Sequence, residues 1–221
     1  MTVNEKCQRL HLLFNNLGSH RFSGTEINKL GFSNGVYIIF EEGETAHDGK
    51  RIVRVGTHRE PGNLKNRLNQ HRRNSGSSVF RRKVGCAILN KNEAYKSYIE
   101  PWYGKKYKLI NEDVLQLHRN LVTQHITGKT SFVAFEVKRT SKEEKGTLFW
   151  ESKIIATIAQ CDECIPSKGW LGNWLPEKFG SLGVAKRIGL WLTDEIDSPI
   201  LSDSELFELE EIVEQSVKRY E

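Results

Sequence analysis

The sequence has no long apolar run, and this absence removes one large class of proteins. No stretch of about 18 apolar residues occurs in the 221-residue chain, whereas a membrane-spanning helix needs about 20. The N-terminus, MTVNEKCQRLHLLF, also lacks the apolar stretch and the small-residue cleavage site of a secretory signal peptide. We therefore expect a soluble, cytoplasmic protein with no membrane partner.

Cysteine is scarce as well, with four residues at Cys7, Cys86, Cys161 and Cys164. Four cysteines with a single close pair do not form a disulfide framework, which agrees with a reducing compartment. Zinc would need two ligands beyond the CxxC pair of Cys161 and Cys164, and no second pair stands at a convincing spacing. A redox pair of the thioredoxin type precedes a helix, whereas this pair follows one. We predict a structural or incidental role for it.

Internal repeats and low-complexity tracts are also absent, and 38% of the residues are apolar. That content can bury one core and indicates one main domain with insertions. We expect an N-terminal helical extension (1–30), a catalytic domain (31–200) with an insertion at 90–130, and a C-terminal helix (201–221) packed on the same domain.

The residue patterns predict an α+β fold with a small central antiparallel β-sheet flanked by helices. Strands are expected at Gly35–Phe40, Arg51–Gly56 and Ser131–Val137, the first two joined by a hairpin that turns at Asp48-Gly49. Helices are expected at 4–17 (capped by Asn4), Asn63–Arg73, Glu112–Ile126, from a capping box of Ser141 and Glu144 to about Gln160, and from Ser202 to about Lys218. Residues 165–182 read as loop.

The net charge of +5 conceals a strong asymmetry along the chain. From Lys50 to Lys108 there are 16 Lys and Arg against three acids, a net of +13, whereas Asp194 to the C-terminus carries ten acids against two cations. A concentrated basic segment is typical of a polyanion partner, because each neutralised phosphate releases counterions. The alternative is a solvated basic surface beside an acidic tail.

Three sets of residues are candidates for chemistry. Alternation along the first two strands places Tyr37 and Arg54 on one side of the hairpin, away from the valines. On the next helix, Arg67 and His71 are spaced i, i+4, so that a guanidinium and an imidazole could hold a phosphate and move a proton. The alternatives are an ordinary strand tyrosine and a solvated basic helix.

Glu151 is the strongest local signal. In the stripe Leu148, Glu151, Ile155, Ile158 the acid stands where the helical period requires an apolar residue. A buried carboxylate must be paired, protonated or bound to a cation. A single carboxylate completed by waters and phosphate oxygens suits Mg²⁺ or Mn²⁺. The alternative is a structural pairing with an arginine.

Taken in order, these residues resemble the GIY-YIG nuclease superfamily. Gly35-Val36-Tyr37 corresponds to GIY and Arg54-Val55-Gly56 to YIG, followed by Arg67 and His71, Glu151, and Asn173 in the loop GWLGNWLP. The sequence is also similar to a subgroup of mostly uncharacterised bacterial proteins with SSVFRRKVGCAIL-, GNWL- and GLWL-type segments. One departure is that Arg54 stands in place of the first motif tyrosine.

The resemblance implies a metal-dependent endonuclease that hydrolyses DNA, with a role in restriction, phage defence or repair. Glu151 would bind the Mg²⁺ or Mn²⁺, Tyr37 would orient or deprotonate the attacking water with Arg54, Arg67 would stabilise the transition state, His71 would assist, and Asn173 would position the substrate or brace Glu151. The side chains expected to follow the nucleic-acid backbone are Arg72, Arg73, Arg81, Arg82, Lys83, Lys105 and Lys106, with Trp102, Tyr103 and Tyr107 available to stack on a base or to pack.

Two alternatives stay open at this point. One is a catalytically inactive nucleic-acid-binding module of the same fold, for which Arg54 is the best argument. The other is a structural protein whose basic helix is only solvated. RNA in place of DNA also stays open, and a double-strand cut would favour a homodimer.

Overall fold

One four-stranded antiparallel sheet forms the centre of the fold. The computed structural model describes residues 1–73, 76–138, 145–177 and 179–220. The strands are β1 (His20–Arg21), β2 (Gly35–Ala46), β3 (Gly49–Gly56) and β4 (Thr130–Glu136), in the spatial order β1-β4-β2-β3. Every neighbouring pair is antiparallel. The predicted α+β class with a small antiparallel sheet is confirmed.

Helices account for most of the remaining described chain. They are α1 (Val3–Asn15), α2 (Gly24–Lys29), α3 (Leu64–Arg72), α4 (Val79–Lys91), α5 (Ile99–Tyr103), α6 (Glu112–Lys129), α7 (Thr147–Ala159), α8 (Ser181–Ile188) and α9 (Asp203–Tyr220). Short 3₁₀ segments lie at Glu93–Tyr98, Tyr107–Leu109 and Leu171–Trp174. Within the described ranges, no helix is long and apolar enough to cross a membrane.

Helices cover both faces of the sheet, and each face has its own apolar cluster. Val36, Ile38 and Phe40 of β2 pack with α1, α7 and α9 on one face. Tyr37 and Ile39 point to the opposite face and pack with α3, α4 and α6. This division follows from the two-residue period of a strand. The face that carries Tyr37 is therefore an apolar core that includes Val53, and the expectation that this face lies away from the valines was wrong.

The β2–β3 hairpin is longer than predicted. Ala46 pairs with Gly49, so the turn consists of His47 and Asp48, both with positive φ (50° and 60°). Two left-handed residues form the type I′ turn that matches the twist of the flanking strands. The turn therefore lies one residue before the predicted Asp48-Gly49 pair, and the strands extend through the acidic segment between them.

A bulge in β3 decides which side chains face the site. Ile39 pairs with Arg54 but Phe40 pairs with Ile52, so Val53 is an extra residue on β3. As a result Val53 joins the cluster of Tyr37, whereas Ile52 joins the opposite one. Strict alternation wrongly put Ile52 on the side of Arg54. The prediction that Tyr37 and Arg54 share a face is confirmed by the register.

Two details of the helices also differ from expectation. Thr2 rather than Asn4 caps α1, in a reciprocal capping box with Glu5. Helices α2, α4, α5 and α8 were not predicted. The longest of them, α4, is buried on several sides and shows little amphipathic period. The predicted capping box of Ser141 and Glu144 lies outside the described residues, and α7 is described from Thr147.

Candidate active site

A cleft of about 610 Å³ opens where β3, α3, α4 and α7 meet the loop that follows Trp191. Its charged lining consists of the cations Arg54, Arg59, Arg67, Arg82 and Lys83 and the acids Glu60, Glu151, Asp194 and Glu195. Cations and carboxylates in one concave site suit a phosphate group together with a divalent cation. Of the six residues predicted to be catalytic, Arg54, Arg67 and Glu151 line this cleft.

Glu151 faces the cleft from α7, where Leu148 and Ile155 of the same stripe also line it. Its Oε1 accepts a hydrogen bond from the backbone N–H of Thr57, at 3.1 Å. Burial raises the pKa of Glu151 to about 7, although Arg54, the Thr57 N–H and Arg67 act against the rise. Glu195 raises this pKa further by like-charge repulsion. The carboxyl is therefore poised to hold a proton or a cation.

Arg54 lies on the wall of the cleft and is 7% exposed. Its Nη1 donates to the backbone carbonyl of Trp191 at 2.7 Å, and its guanidinium stands 5.6 Å from the ring centre of Phe80. These contacts hold the guanidinium at the cleft, where its charge lowers the pKa of Glu151. The residue that replaces the first motif tyrosine thus brings a permanent positive charge to the cleft.

Tyr37 and His71 form a pair beneath the cleft rather than on its wall, and both are fully buried. The Tyr37 hydroxyl lies 2.7 Å from His71 Nε2, and His71 Nδ1 lies 2.8 Å from Ser78 Oγ. Burial, with Arg54, Arg67 and Arg81 adding to it, holds the pKa of His71 well below its usual value, so the imidazole is neutral. The structure therefore separates Arg67, on the wall, from His71, which pairs with Tyr37.

Gly56 connects the buried pair to the cleft. A Cβ at this position would lie 2.2 Å from the Tyr37 hydroxyl oxygen, closer than any side chain allows. The next residue, Thr57, lines the cleft and donates to Glu151. The hydroxyl of Tyr37 is thus one backbone residue away from the carboxylate's hydrogen-bond donor, and only glycine permits this approach.

Asn173 does not reach the cleft. Its side-chain amide donates to the backbone carbonyls of Ser167 and Lys168, at 2.8 and 3.2 Å. These bonds close the loop that precedes α8, and Asn173 is absent from the lining formed by the described residues. The expected contact with Glu151 is not seen in this structure, and a loop-forming role accounts for the side chain.

The residues predicted to follow the nucleic-acid backbone differ widely in exposure. Arg73, Lys105 and Lys106 are exposed, and Arg82 lines the cleft. Arg72 is half-buried and donates to Asn69. For Arg81 the surface role was wrong, because it is 2% exposed and its guanidinium binds the carbonyls of His71, Arg72 and Arg119 and the hydroxyl of Thr123. The indole of Trp102 is also buried, where it packs rather than offering a stacking face.

Lys83 lines the cleft from α4 although it is only 2% exposed. Its Nζ donates to Thr193 Oγ1 at 3.2 Å. Burial lowers the pKa of Lys83 to about 7, with Arg54 and Arg82 lowering it further and Asp194 opposing them. The ammonium therefore loses its proton near neutral pH unless an anion enters the cleft.

Sequence reasoning missed the loop that closes the cleft, Leu192–Glu195. Thr193, Asp194 and Glu195 all line it, and Glu195 acts electrostatically on Glu151. The available signal was the pair of acids Asp194 and Glu195, one residue after the GLWL segment, which the charge pattern assigned only to the start of an acidic tail. Thr57 and His58, directly after the second motif strand, were missed in the same way.

Comparison with known proteins gives a result at the level of the family. The family model described as GIY-YIG domain matches residues 3–219. Neither the search of curated proteins nor that of solved structures finds a match.

Proposed function

This chain belongs to the GIY-YIG family, a family of nucleases, and we propose that it is a divalent-metal-dependent endonuclease that hydrolyses phosphodiester bonds of DNA. The observation that carries the proposal is the Glu151 carboxylate, enclosed in a cleft with Arg54 and Arg67. A carboxylate for a cation and guanidinium groups for a phosphate are what phosphodiester hydrolysis requires.

The cationic side chains of the cleft support a phosphate backbone as substrate. Arg54, Arg67, Arg82 and Lys83 converge from three different elements, β3, α3 and α4. Outside the cleft, the exposed cations Arg73, Lys105 and Lys106 extend the positive surface. A nucleic-acid duplex presents a regular series of phosphates to such a surface. We propose DNA as the substrate, and the test below also includes RNA.

The residues present also fit a divalent cation at Glu151. Its carboxylate is largely buried, accepts a hydrogen bond from Thr57 and is electrostatically coupled to Glu195, so a cation would relieve both the burial of charge and the repulsion. Carboxylate oxygens suit Mg²⁺ or Mn²⁺ rather than a softer metal. When bound, such a cation would neutralise charge that develops on the scissile phosphate and the leaving oxygen.

The other side chains have separate roles in the proposed reaction. Arg67 and Arg54 bind the non-bridging phosphate oxygens and stabilise the added negative charge of the transition state. The Tyr37 hydroxyl lies behind Gly56, so in the proposed reaction the cleft opens at Gly56 for Tyr37 to take a proton from the attacking water while passing its own to His71 Nε2, 2.7 Å away. The neutral His71 ring has a nitrogen lone pair for this proton, and because its pKa is lowered it holds the proton only transiently. The resulting hydroxide forms the new bond to phosphorus as the P–O bond to the leaving oxygen breaks, and solvent supplies the proton that the leaving oxygen takes up.

A second candidate is a binding module without catalysis. It is favoured by Arg54, which occupies the place of a motif tyrosine and is held by the Trp191 carbonyl. Both candidates share the phosphate-binding cleft and differ only in turnover.

The test is incubation of the purified chain with supercoiled plasmid in Mg²⁺, in Mn²⁺ and with chelator. We expect nicked or linear plasmid with either metal and intact plasmid with chelator. Intact plasmid in all three, with binding that weakens steeply as salt rises, would support the binding module. Salt-insensitive or undetectable binding to both DNA and RNA would reject both candidates.

A pH-dependent contribution of Lys83 to DNA binding follows from its lowered pKa. The assay uses the background Glu151→Gln without metal, so that the carboxyl near pKa 7 does not titrate. Affinity for a DNA duplex should fall about 3- to 10-fold from pH 6 to pH 8.5, because the ammonium is charged below its pKa of about 7 and neutral above it.

Adding Lys83→Met should flatten this pH profile to the weaker level. The matched control is Lys106→Met, which removes an exposed cation and should lower affinity at both pH values while leaving the slope. Fluorescence anisotropy at fixed salt measures all three proteins. An unchanged slope in the Lys83 variant would mean that another group titrates in the cleft.

A further inference from the structure

A second cluster of metal-ligating side chains lies apart from the cleft, beyond the opposite end of α7. Cys7 and His11 come from successive turns of α1, His47 from the β2–β3 turn, and Cys161 and Cys164 from the segment directly after α7. One ligand atom from each of Cys7, His11, His47 and Cys164 lies within 4.8 Å of all the others. Three chain segments far apart in sequence thus bring five soft or borderline ligands to one place.

The distances between these atoms are those of ligands around one small cation. Cys7 Sγ lies 3.3 Å from Cys164 Sγ, and Cys161 Sγ lies 3.4 Å from His47 Nε2. Tetrahedral zinc with bonds of about 2.3 Å to sulfur and 2.0 Å to nitrogen separates its ligand atoms by roughly 3.5–3.8 Å. A disulfide would need about 2.05 Å between the sulfur atoms. The spacing fits a shared metal better than a covalent bond.

We propose that Cys7, Cys161, Cys164 and His47 bind a structural Zn²⁺ ion, with His11 as an outer support. Three thiolates and one imidazole form a closed four-ligand set that leaves no position for substrate. The ion joins α1, the β2–β3 turn and the end of α7, and so anchors the helix that carries Glu151 about 15 Å away along its axis.

The two histidines differ in what their nitrogens contact, and this difference selects His47. His11 also faces thiols, with Nδ1 3.7 Å from Cys7 Sγ and Nε2 3.9 Å from Cys164 Sγ. Both of its nitrogens are nearer to the backbone, however, since Nδ1 lies 3.0 Å from the Cys7 carbonyl and Nε2 accepts from the Ile52 N–H at 3.2 Å. For His47, Nε2 faces the thiols and Nδ1 lies 3.5 Å from a carboxylate oxygen of Glu163. A carboxylate behind a histidine ligand fixes the ring and increases its basicity.

Zinc would bind the three cysteines as thiolates and displace their protons, so the affinity for the ion should rise with pH.

The experiment measures metal in the whole chain purified from medium without added metal. Elemental analysis should give one zinc per chain in the parent protein and also in Glu151→Gln, so the result is independent of the proposed nuclease site. Cys161→Ser with Cys164→Ser should lose the zinc and melt roughly 10 °C lower. The control is Cys86→Ala, which changes a buried cysteine outside the cluster and should retain the metal.

Two further measurements keep the proposal testable if the double variant does not fold. Cobalt replacing zinc in the parent should give sulfur-to-metal charge-transfer bands and intense visible bands of a tetrahedral thiolate site. His47→Asn should release zinc to a chromogenic chelator at least 10-fold faster than the parent, and His11→Asn less than His47→Asn. A metal-free parent whose mass is two hydrogens lower would overturn the proposal in favour of a disulfide, and faster release from His11→Asn would overturn the choice of histidine.

Discussion

Glu151→Gln should reduce DNA cleavage by at least about 1,000-fold while leaving DNA binding intact. The amide keeps the size of the side chain and an oxygen that can accept the Thr57 N–H, but it removes the negative charge proposed to hold the metal. Cleavage is measured with Mg²⁺ and with Mn²⁺, and binding is measured in chelator. Because only the charge changes, loss of cleavage with retained binding would assign Glu151 to catalysis rather than to folding.

The same variant should not be less stable than the parent. Burial raises the pKa of Glu151 to about 7, above the unfolded value of 4.5, so the charged carboxylate destabilises the fold as pH rises from 4.5 through 7. At pH 8 in chelator, Glu151→Gln should therefore melt at the same or a higher temperature than the parent.

The control is Glu205→Gln, which changes a half-buried carboxylate of α9 that pairs at 3.2 Å with Lys153 of α7, the helix that carries Glu151. It should cut DNA at a rate close to the parent's and melt slightly lower, because it loses an ion pair. Parent-level cleavage by Glu151→Gln, or an equal loss in both variants, would remove Glu151 from the proposed mechanism.

Glu151 also shows how far the sequence alone could locate this site. An acid within an apolar helical stripe is a local signal, since burial of a carboxylate needs compensation. The stripe Leu148, Glu151, Ile155 does line the cleft. The strands that carry Tyr37 and Arg54 were also predicted from a local pattern, because a few consecutive residues are enough to indicate a strand.

Local patterns could not predict features that depend on one backbone irregularity or on residues far away in the sequence. The bulge at Val53 moves every β3 side chain that precedes it to the opposite face of the sheet. A valine at that position does not predict a bulge. Arg81 and Arg82 are adjacent arginines in the sequence, yet Arg81 is buried among backbone carbonyls and Arg82 lines the cleft. Their difference is set by where α4 packs against α6.

The cysteine pair of Cys161 and Cys164 is the clearest case of a signal that sequence spacing could not complete. Its candidate co-ligands Cys7 and His47 are more than 100 residues away along the chain and come from a helix and a turn. Metal-site motifs are recognised when ligands are spaced locally. Here the fold itself supplies the proximity, so the absence of a second local pair was not evidence against a metal.

Tyr37→Phe should also abolish cleavage, with a loss of about 100- to 1,000-fold, and it tests the buried pair under the cleft. The change removes the hydroxyl that lies 2.7 Å from His71 and leaves that imidazole without its partner in a fully buried place. We therefore expect a stability loss of about 1–3 kcal/mol as well, seen as a lower urea midpoint. DNA binding should stay within a few-fold, because the cleft cations are unchanged.

Tyr98→Phe provides the comparison, because this tyrosine is partly buried against the same apolar cluster but lies away from the cleft. It should retain cleavage at the parent rate. If Tyr37 had only a structural role, Tyr37→Phe would lower the cleavage rate only in proportion to the fraction of unfolded protein. That fraction is negligible well below the melting temperature, so the rate measured there would stay at the parent level. A large loss of rate in a folded, DNA-binding variant requires instead that the hydroxyl take part in the reaction. Since Gly56 leaves no side chain between that hydroxyl and the donor of Glu151, the route for the proton from the attacking water would then run from Tyr37 to His71.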